Sequence, residues 1–383
     1  MDALQKLQLL GPAAAYEPAE EVGALGQQQA PQAQGIPDAL AGCIYHAATP
    51  KGRVPLLKTL MSSACERDCH YCPFRAGRDF RRATFSADEL ARLFVQLHQR
   101  GLVKGIFLSS GLVGSGPRTQ DRLIAAAELL RRRYRFPGYI HLKIMPGAER
   151  DQIAAAMRLA DRVSLNLEAP NDQRLAHLAP HKIFTEELLT RLRWIEELRR
   201  EQPGRAHPSS TTQFVVGAVG ESDLELLQTT AYLHAHAGLA RAYFSGFSPV
   251  ADTPFETLPA SPPAREHRLY QASFLLRDYG FMVEELPFAP DGLLPLTTDP
   301  KLAWAEQHLR EQPVELNLAA RAQLLRVPGI GPVSADRLLQ ARRLGQLRDL
   351  SQLRRLGIAA HRAAPFILLA GRAPAQQLRL WPT

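Results

Sequence analysis

The chain has 383 residues, of which 45% are hydrophobic and 22% are charged, enough material for two or three domains of an ordinary globular protein. No apolar run approaches the roughly 18 residues that a membrane-spanning helix needs, and the first 28 residues lack the basic start and apolar block of a secretory signal. We therefore expect a cytoplasmic protein that does not engage a membrane.

The positive charge of the chain is concentrated in its last part. The whole chain carries a formal +8, whereas residues 321–383 alone hold eleven Arg and two Asp with no Lys or Glu, a local +9. Composition bias explains why 39 of the 46 basic residues are Arg, but it does not explain the missing acids. A compact basic segment is typical of a polyanion binder, because each neutralised phosphate releases condensed counterions.

Four parts are predicted along the chain. Residues 1–40 contain a Gln-rich, low-complexity stretch and are predicted to be a flexible arm. Residues 41–250 alternate strand-like with helix-like patterns, residues 251–315 form a proline-rich exit with an α/β extension and linker, and residues 316–383 form a helical domain.

Six strands with intervening helices are predicted in the second part. The strands cover residues 56–61, 103–108, 139–144, 162–167, 212–216 and 241–244, and helices follow at 86–97, 119–133, 148–159, 185–200 and 222–237. Crossover connections of this kind imply parallel pairing, hence a barrel or an open wound sheet, with functional residues at the carboxyl ends of the strands. The third part is predicted to contain a helix over 265–278, a short strand over 282–284 and a helix from 299.

Three of the four cysteines stand close together. Cys65, Cys69 and Cys72 have a C-x3-C-x2-C spacing directly after the first predicted strand. The size of the chain and the lack of an export signal disfavour a disulfide framework. Three thiolates satisfy three irons of a cubane [4Fe–4S] cluster and leave the fourth iron open, which is what a cluster that binds substrate or cofactor needs.

Two alternatives to the iron–sulfur cluster stay open on spacing alone. The first is a closed zinc site in which Cys43, His46 or His70 supplies the fourth ligand. The second is a set of coincidental buried thiols, although three cysteines within eight residues are far denser than elsewhere in this chain.

The cysteine motif resembles the signature of a known family. Cys65, Cys69 and Cys72, with Tyr71 as the aromatic residue before the last cysteine, resemble the C-x3-C-x-aromatic-C signature of radical S-adenosylmethionine (SAM) enzymes. The resemblance implies an α/β fold with a partial (β/α)6 TIM barrel, a [4Fe–4S] cluster and SAM as cofactors. It also implies reductive cleavage of SAM to a 5′-deoxyadenosyl radical, with no catalytic residue assigned beyond the cluster ligands.

The same resemblance assigns residues to SAM. The turn at 109–111 stands where the family has Gly-Gly-Glu to bind the amino group of SAM, but the acid is missing here. Residues 166 and 168 resemble the positions that contact the ribose. Residues 217–220 resemble the adenine-binding region. An ordinary strand-to-helix turn and an exposed edge strand are the alternatives. The residues assigned are Tyr71, Ser109, Ser110, Gly111, Asn166, Glu168, Gly217, Val219 and Gly220.

Four arginines crowd the segment after the last cysteine, namely Arg75, Arg78, Arg81 and Arg82. We expect them to steer substrate phosphates toward the cluster, because a polynucleotide needs an anchor near the chemistry. The alternative is that they merely coat a loop.

Two helices joined by a glycine turn are predicted in the basic tail, over 318–326 and 332–343. The turn Gly329-Ile330-Gly331 is similar to the hairpin of a helix-hairpin-helix motif, in which free N–H groups bind a phosphate oxygen. A weaker second unit is predicted over 350–356, Gly357-Ile358 and a helix through 369. The predicted DNA contacts are Gly329, Ile330, Gly331, Arg337, Arg342 and Arg343.

The tail also resembles that of a radical SAM subfamily associated with DNA modification or repair. This resemblance implies DNA as the substrate, an electron donor such as a flavodoxin or ferredoxin, and a uracil-DNA-glycosylase-like partner. RNA stays an alternative, since phosphate contacts are common to both nucleic acids. Two other functions stay open, a radical SAM enzyme that acts on a small molecule or protein with the tail as a dock, and a non-catalytic, zinc-stabilised DNA-binding protein.

Overall fold

The computed structural model describes residues 1–14, 40, 42–49, 52–204 and 206–374. The chain divides into two compact units, one formed by Met1–Glu221 with Thr229–Glu266 and the other by Ser222–Gln228 with His267–Thr383. None of the helices in the described ranges is both long and apolar enough to cross a bilayer.

The first unit is built on one seven-stranded sheet whose strand order follows the chain. β1 pairs antiparallel with β2, and every later pair from β2 to β7 is parallel. The outer strands β1 and β7 do not pair with each other in the described part of the chain, so the sheet is an open partial barrel. The six predicted parallel strands are therefore confirmed, whereas β1 was not predicted. The strands are β1 (Ile44–Thr49), β2 (Gly52–Leu60), β3 (Gly105–Ser109), β4 (Tyr139–Lys143), β5 (Arg162–Ser164), β6 (Ser209–Val216) and β7 (Arg241–Gly246).

Helices connect the parallel strands. β3 is buried along its whole length, as a parallel strand is when helices cover one face and packed side chains the other. Two predicted helices contain π-helical turns, over Leu129–Arg133 and Phe184–Leu189, and α5 was not predicted. The helices are α1 (Ala3–Ala13), α2 (Ala87–Gln99), α3 (Gly116–Glu128), α4 (Arg150–Leu159), α5 (Asp172–Leu178), α6 (Thr190–Arg200) and α7 (Asp223–His236).

The segment predicted as a flexible arm, residues 1–40, begins with the helix α1. Asp2 caps this helix, because its carboxylate accepts the Gln5 N–H at 2.8 Å while the Gln5 side chain accepts the Asp2 N–H. Leu7 and Leu10 are fully buried, and this apolar burial holds the helix in place. The Gln-rich residues of the predicted arm lie outside the described residues.

The strand predicted over 162–167 ends early, at Ser164. The Thr212 hydroxyl donates to the Leu165 carbonyl at 2.8 Å and accepts the Leu167 N–H at 3.1 Å, so a side chain replaces the backbone ladder there. Glu168 then returns to the sheet through an isolated bridge with Phe214. This irregular exit determines where residues 166 and 168 point.

The second unit is mainly helical and has its own hydrophobic core. Leu324, Ile330 and Leu338 are completely buried in this core, and Ala305 and Leu309, which precede the predicted boundary at 316, belong to it as well. The unit contains most of α8 (Pro263–Asp278), then α9 (Pro300–His308), α10 (Arg321–Arg326), α11 (Pro332–Leu344), α12 (Leu350–Arg355), α13 (Ala360–Ala363), and the parallel pair β8 (Val314–Glu315) and β9 (Ile367–Leu368).

Two predicted elements of the second unit are wrong. The predicted strand at 282–284 is a 3₁₀ turn, Val283–Glu285, because the Glu285 carboxylate accepts the Met282 N–H at 2.7 Å and folds the chain back. The helix predicted to continue through 369 ends at Ala363 and passes through a 3₁₀ turn into β9. Pro365 lacks the N–H that a longer helix would need.

Candidate functional site

A cavity of about 510 Å³ opens at the carboxyl ends of the parallel strands in the first unit. All three clustered cysteines line this cavity. They lie where the predicted alternation of strands and helices places functional residues. The strand residues that share the cavity include Leu60, Ser109, Lys143, Gln213, Val215 and Phe244.

The cysteine loop, which we define as residues 61–86 between β2 and α2, is held together by Arg82. Its guanidinium lies 4.1 Å from the centroid of the Phe80 ring. Each of its hydrogen bonds ends on a main-chain carbonyl, those of Ser63 (3.0 Å), Phe74 (3.1 Å), Arg75 (2.9 Å) and Arg78 (3.1 Å). Arg78 likewise donates to the Pro73 carbonyl at 2.7 Å. Arg82 and Arg78 therefore brace the loop, and the steering of substrate phosphates by the four arginines stays a prediction.

The three cysteine sulfurs have distinct surroundings. Cys69 is buried, whereas Cys65 and Cys72 are half-buried. The Leu112 N–H donates to Cys65 Sγ at 3.5 Å, and the Phe74 N–H donates to Cys72 Sγ at 3.4 Å. Burial raises the pKa of Cys69 and that of Cys72. Thiols of this kind ionise when a bound metal supplies positive charge and releases their protons.

Cys43 lies apart from these three sulfurs, against α1. Its thiol donates to the Leu7 carbonyl at 3.4 Å, and burial raises the pKa of Cys43 to about 11. Within the described ranges, no three His, Cys, Asp or Glu side chains converge closely enough to hold one metal ion. Cys43 is therefore not placed to be the fourth ligand of a zinc site, and the cysteines of a cubane bind separate irons.

The turn after β3 passes tightly over the cysteine loop. The Gly111 N–H donates to the Ser62 carbonyl at 2.7 Å. A Cβ at Gly111 would lie 2.2 Å from the Ala64 carbonyl oxygen and 3.2 Å from Cβ of Cys65, so only glycine fits. Ser109, Ser110 and Gly111 all line the cavity, and their contact with SAM stays a prediction.

Two buried acceptors without partners also line the cavity. Glu168 Oε2 and Gln213 Oε1 have no hydrogen-bond partner among the described residues, although both residues are 4% exposed. A buried acceptor left unsatisfied costs about 1–3 kcal/mol. Glu168 also has a left-handed backbone, with φ at 67°, which a side chain rarely adopts. Both features fit a ligand that brings N–H or O–H donors.

Lys182 holds the other oxygen of the Glu168 carboxylate. Its Nζ lies 2.8 Å from Glu168 Oε1, and the two side chains are only 9% and 5% exposed. Burial and the nearby Glu168 carboxylate raise the pKa of Tyr71 well above its ordinary value. On the adjoining wall Lys143 donates to Asn166 Oδ1. This side of the cavity is therefore a dense and mostly satisfied polar network.

The structure does not bring the predicted adenine-binding turn to this cavity. The described residues that line the cavity do not include Gly217, Val219 or Gly220. The Glu221 carboxylate accepts the N–H groups of Gly217 and, at 3.3 Å, Val219, and it lies 3.5 Å from the Arg265 guanidinium. The amides of the turn are therefore used within the turn itself.

Sequence reasoning missed three polar residues of the cavity. Gln213 alternates with Thr211 along β6, a period-two pattern that could have revealed it. Lys182 follows α5, a helix that was not predicted, so no local pattern marks this lysine. Glu266 reaches back from α8, where its carboxylate accepts the Gly246 N–H at 2.8 Å and burial raises its pKa.

A second cavity, of about 410 Å³, lies beside the glycine turn of the second unit. Gly329 has φ at 82°, and a Cβ there would lie 2.7 Å from the Ala359 carbonyl oxygen. Lys301 Nζ donates to the Ile330 carbonyl at 2.6 Å and lies 4.5 Å from the Tyr279 ring centroid. Gly331 immediately precedes α11, so the first N–H groups of that helix begin at the cavity.

The arginines predicted to contact DNA differ in their surroundings. Arg342 donates to the Ala319 carbonyl at 2.7 Å, and Arg337 to the Leu356 carbonyl at 3.3 Å, so both link segments of the second unit. Arg343 is exposed at the end of α11. Arg343 and the exposed Arg348 and Arg354 have no ion-pair partner among the described residues, which leaves their charge available to a ligand.

Comparison with known proteins finds one family model that matches part of the chain. Residues 59–233 match the family model of the radical SAM superfamily. The tRNA-2-methylthio-N(6)-dimethylallyladenosine synthase of Neorickettsia sennetsu is 25% identical over 245 residues, which are 60% of this chain and 50% of that protein. The chain thus spans half the length of this curated relative.

Two solved structures are among those that match this chain. Methylornithine synthase (PylB) has a TM-score of 0.47 and 13% identity over 71% of this chain and 68% of its own. The FeFe-hydrogenase maturase HydG from Carboxydothermus hydrogenoformans has a TM-score of 0.45 and 16% identity over 58% and 51% respectively.

The matched segment is thus similar in sequence to the radical SAM superfamily. The superfamily uses a [4Fe–4S] cluster and SAM. The residues present fit both cofactors, since three thiols of one loop and two unpartnered acceptors face one cavity. The ammonium and hydroxyl groups of SAM are donors of the kind that those acceptors need.

Proposed function

We propose that this chain binds its cluster through Cys65, Cys69 and Cys72 and cleaves SAM reductively in the cavity of the first unit. When bound, the cluster supplies one electron that splits the sulfonium of SAM into methionine and a 5′-deoxyadenosyl radical. The observation that supports this most strongly is that the three thiols and the two unpartnered acceptors share one cavity.

The walls of the cavity have separate tasks in this proposal. The turn at Gly111 keeps main-chain groups close to the cysteine loop. Glu168 and Gln213 accept the N–H and O–H groups of SAM, and Glu168 thereby replaces the acid that is missing from the turn at 109–111. Leu60 and Phe247 supply apolar surface that keeps water away from a reactive radical.

Nucleic acid is the substrate that we propose, with DNA as the first candidate. The local charge of +9 over residues 321–383 and the exposed arginines of the second unit support a phosphate-binding role. The glycine turn 329–331, interpreted as a helix-hairpin-helix hairpin, would grip backbone rather than read bases. The relative from Neorickettsia sennetsu is named for a modified tRNA nucleoside, which makes RNA the second candidate.

Two partners belong to this proposal. Reduction of the cluster requires an external electron donor, for which a flavodoxin or ferredoxin is the natural class. A uracil-DNA-glycosylase-like protein is the second partner, and it is proposed only on the resemblance of the tail. A rival function, action on a small molecule or protein with the second unit as a dock, uses the same cavity but does not need the exposed arginines.

The decisive experiment measures formation of 5′-deoxyadenosine. The full chain, reconstituted without oxygen, should contain about four irons and release 5′-deoxyadenosine when reduced with dithionite in the presence of SAM. We expect duplex DNA to stimulate this release. No release from protein with a full cluster would contradict SAM cleavage, stimulation by tRNA alone would replace DNA with RNA, and stimulation by neither would favour the small-molecule function.

A further inference from the structure

Lys182 is a buried ammonium at the wall that the cysteines share. Its side chain is 9% exposed, its Nζ lies 2.8 Å from Glu168 Oε1, and its main-chain N–H donates to the Ala179 carbonyl at 2.9 Å. Lys182, Glu168, Cys69 and Cys72 all line the same cavity. Both ends of this lysine are therefore fixed, and its charge stands in a low-dielectric setting beside two of the cysteines.

Lys182 lies in the wall of the cavity that Cys69 and Cys72 also line. Burial by itself would lower the pKa of Lys182, but the charges of Cys69, Glu168 and Cys72 outweigh burial and raise it. The ammonium therefore keeps its charge although its side chain is only 9% exposed.

Two other cations line this cavity and have partners of their own. Arg67 donates to the Glu187 carboxylate and to the His181 carbonyl. Lys143 donates to Asn166 Oδ1. Lys182 is the lining cation that pairs with Glu168, a buried carboxylate of the same wall as the cysteines.

Reduction of a cluster adds one electron to a site that already carries three thiolates. A fixed positive charge near the sulfurs makes this addition easier, and a fixed negative charge makes it harder. Cluster potentials follow the local charge, the hydrogen bonds to the sulfurs and the exposure to solvent. Lys182 and Glu168 present opposite charges at one wall, so they should act in opposite directions.

We propose that Lys182 is a positioning residue that raises the reduction potential of the cluster and is balanced by Glu168. This inference rests on the proposed function and deepens it. The electron comes from an external reductant and is taken up by the oxidised cluster without a proton. By easing that uptake, Lys182 would let a low-potential donor deliver the electron that SAM cleavage consumes.

The test is a potentiometric titration of the full chain, reconstituted without oxygen, free of SAM and followed by electron paramagnetic resonance. Titanium(III) citrate is the reductant. We expect Lys182→Met to lower the equilibrium constant for one-electron reduction at least tenfold, a shift of about 59 mV to lower potential. Lys182→Arg should restore most of the difference, and Glu168→Gln should shift the potential upward. Lys104→Met, at an exposed lysine at the start of the β3 segment, is the matched control and should leave the potential unchanged.

Two results would overturn this inference. The first is a wild-type potential in Lys182→Met with its full iron content. The second is a change that appears only after SAM is added, which would make Lys182 a ligand of SAM instead. Should Lys182→Met fail to hold iron, Lys182→Gln decides, because its amide can still donate to Glu168 while it lacks the charge. A wild-type chain that holds no cluster would refute the proposed function rather than this inference.

Discussion

Two lysines line the two cavities, the buried Lys182 in the first unit and the half-buried Lys301 in the second, and their pKa values shift in opposite directions. Burial disfavours the charge of both, but the pKa of Lys182 rises because Cys69 and Glu168 outweigh burial. At Lys301 burial is the largest effect, Asp299 does not compensate for it, and the pKa falls to about 7. The first cavity therefore supplies anionic partners that keep its lysine charged, whereas in the second cavity burial outweighs the effect of Asp299.

The largest effect expected concerns the anions of the first cavity. Cys69→Ala should abolish iron binding, because one corner of the proposed cluster loses its ligand. Cys43→Ala is the matched control, since this thiol contacts the Leu7 carbonyl and not the cavity. Iron and sulfide analysis of both variants after anaerobic reconstitution measures the difference. Equal loss of iron in the two variants would mean that Cys43 is a ligand after all.

The next effect concerns a cation that is stabilised by carbonyl groups rather than by anions. Arg82→Leu removes four hydrogen bonds from the cysteine loop and should lower the free energy of unfolding by about 2–3 kcal/mol. Urea denaturation of the unloaded protein measures this change. Arg81→Leu, at an exposed neighbour, serves as the control. Equal stability of the two variants would show that the loop does not depend on Arg82.

The pH dependence of the stability of the second unit tests the lowered pKa of Lys301. Its folded pKa of about 7 lies below the ordinary value of 10.5, so between these values the unfolded chain binds a proton that the folded chain has released. Stability should therefore rise with pH across this window, by up to about 1.4 kcal/mol per pH unit.

Lys301→Met should lose this rise in stability, whereas Lys104→Met should retain it. Urea denaturation at several pH values, followed by hydrogen exchange in α11, provides the measurement. An identical pH profile in wild type and Lys301→Met would show that Lys301 keeps its charge throughout the window.

The smallest effect concerns single exposed arginines of the second unit. Arg343→Gln and Arg348→Gln should each weaken duplex binding and reduce the slope of log affinity against log salt by about 0.9 per lost phosphate contact. Arg158→Gln, at an exposed arginine of α4, should leave the slope unchanged. Fluorescence anisotropy over a series of salt concentrations is the assay. If the slope is unaltered in all three variants, these arginines of the second unit do not contact the nucleic acid.

The parallel sheet could be predicted because each of its strands is an apolar run, and the helices between the strands show an apolar face in their sequence. β1 was not predicted because it is stabilised by hydrogen bonds to β2, and this pairing cannot be read from the sequence of β1 alone. α1 was missed for a similar reason, since Leu7 and Leu10 stabilise a helix only when another surface covers them. The 3₁₀ turn at 283–285 depends on one side-chain hydrogen bond that strand propensity does not include.

The cysteines could be predicted from their spacing, whereas the polar wall could not. Lys182 reaches Glu168 from a segment fourteen residues away, through a helix that leaves no clear periodic pattern. The turn at 217–220 has the composition of a ligand-binding turn, but Glu221 satisfies its amides from within. Local sequence identifies glycines and charges, while competition among neighbours decides which groups remain available to a ligand.

The contact between Gly111 and Ala64 has a consequence for mutational surveys. Because the Ala64 oxygen would lie only 2.2 Å from an added Cβ, even a methyl group is excluded, and a saturation library should tolerate no replacement at position 111. The loss of activity in every variant at position 111 could be mistaken for evidence of a catalytic residue, although glycine contributes no functional side chain. Variants that also rebuild residues 62–65 would be the ones to regain activity, which marks the two backbones as a unit that evolves together.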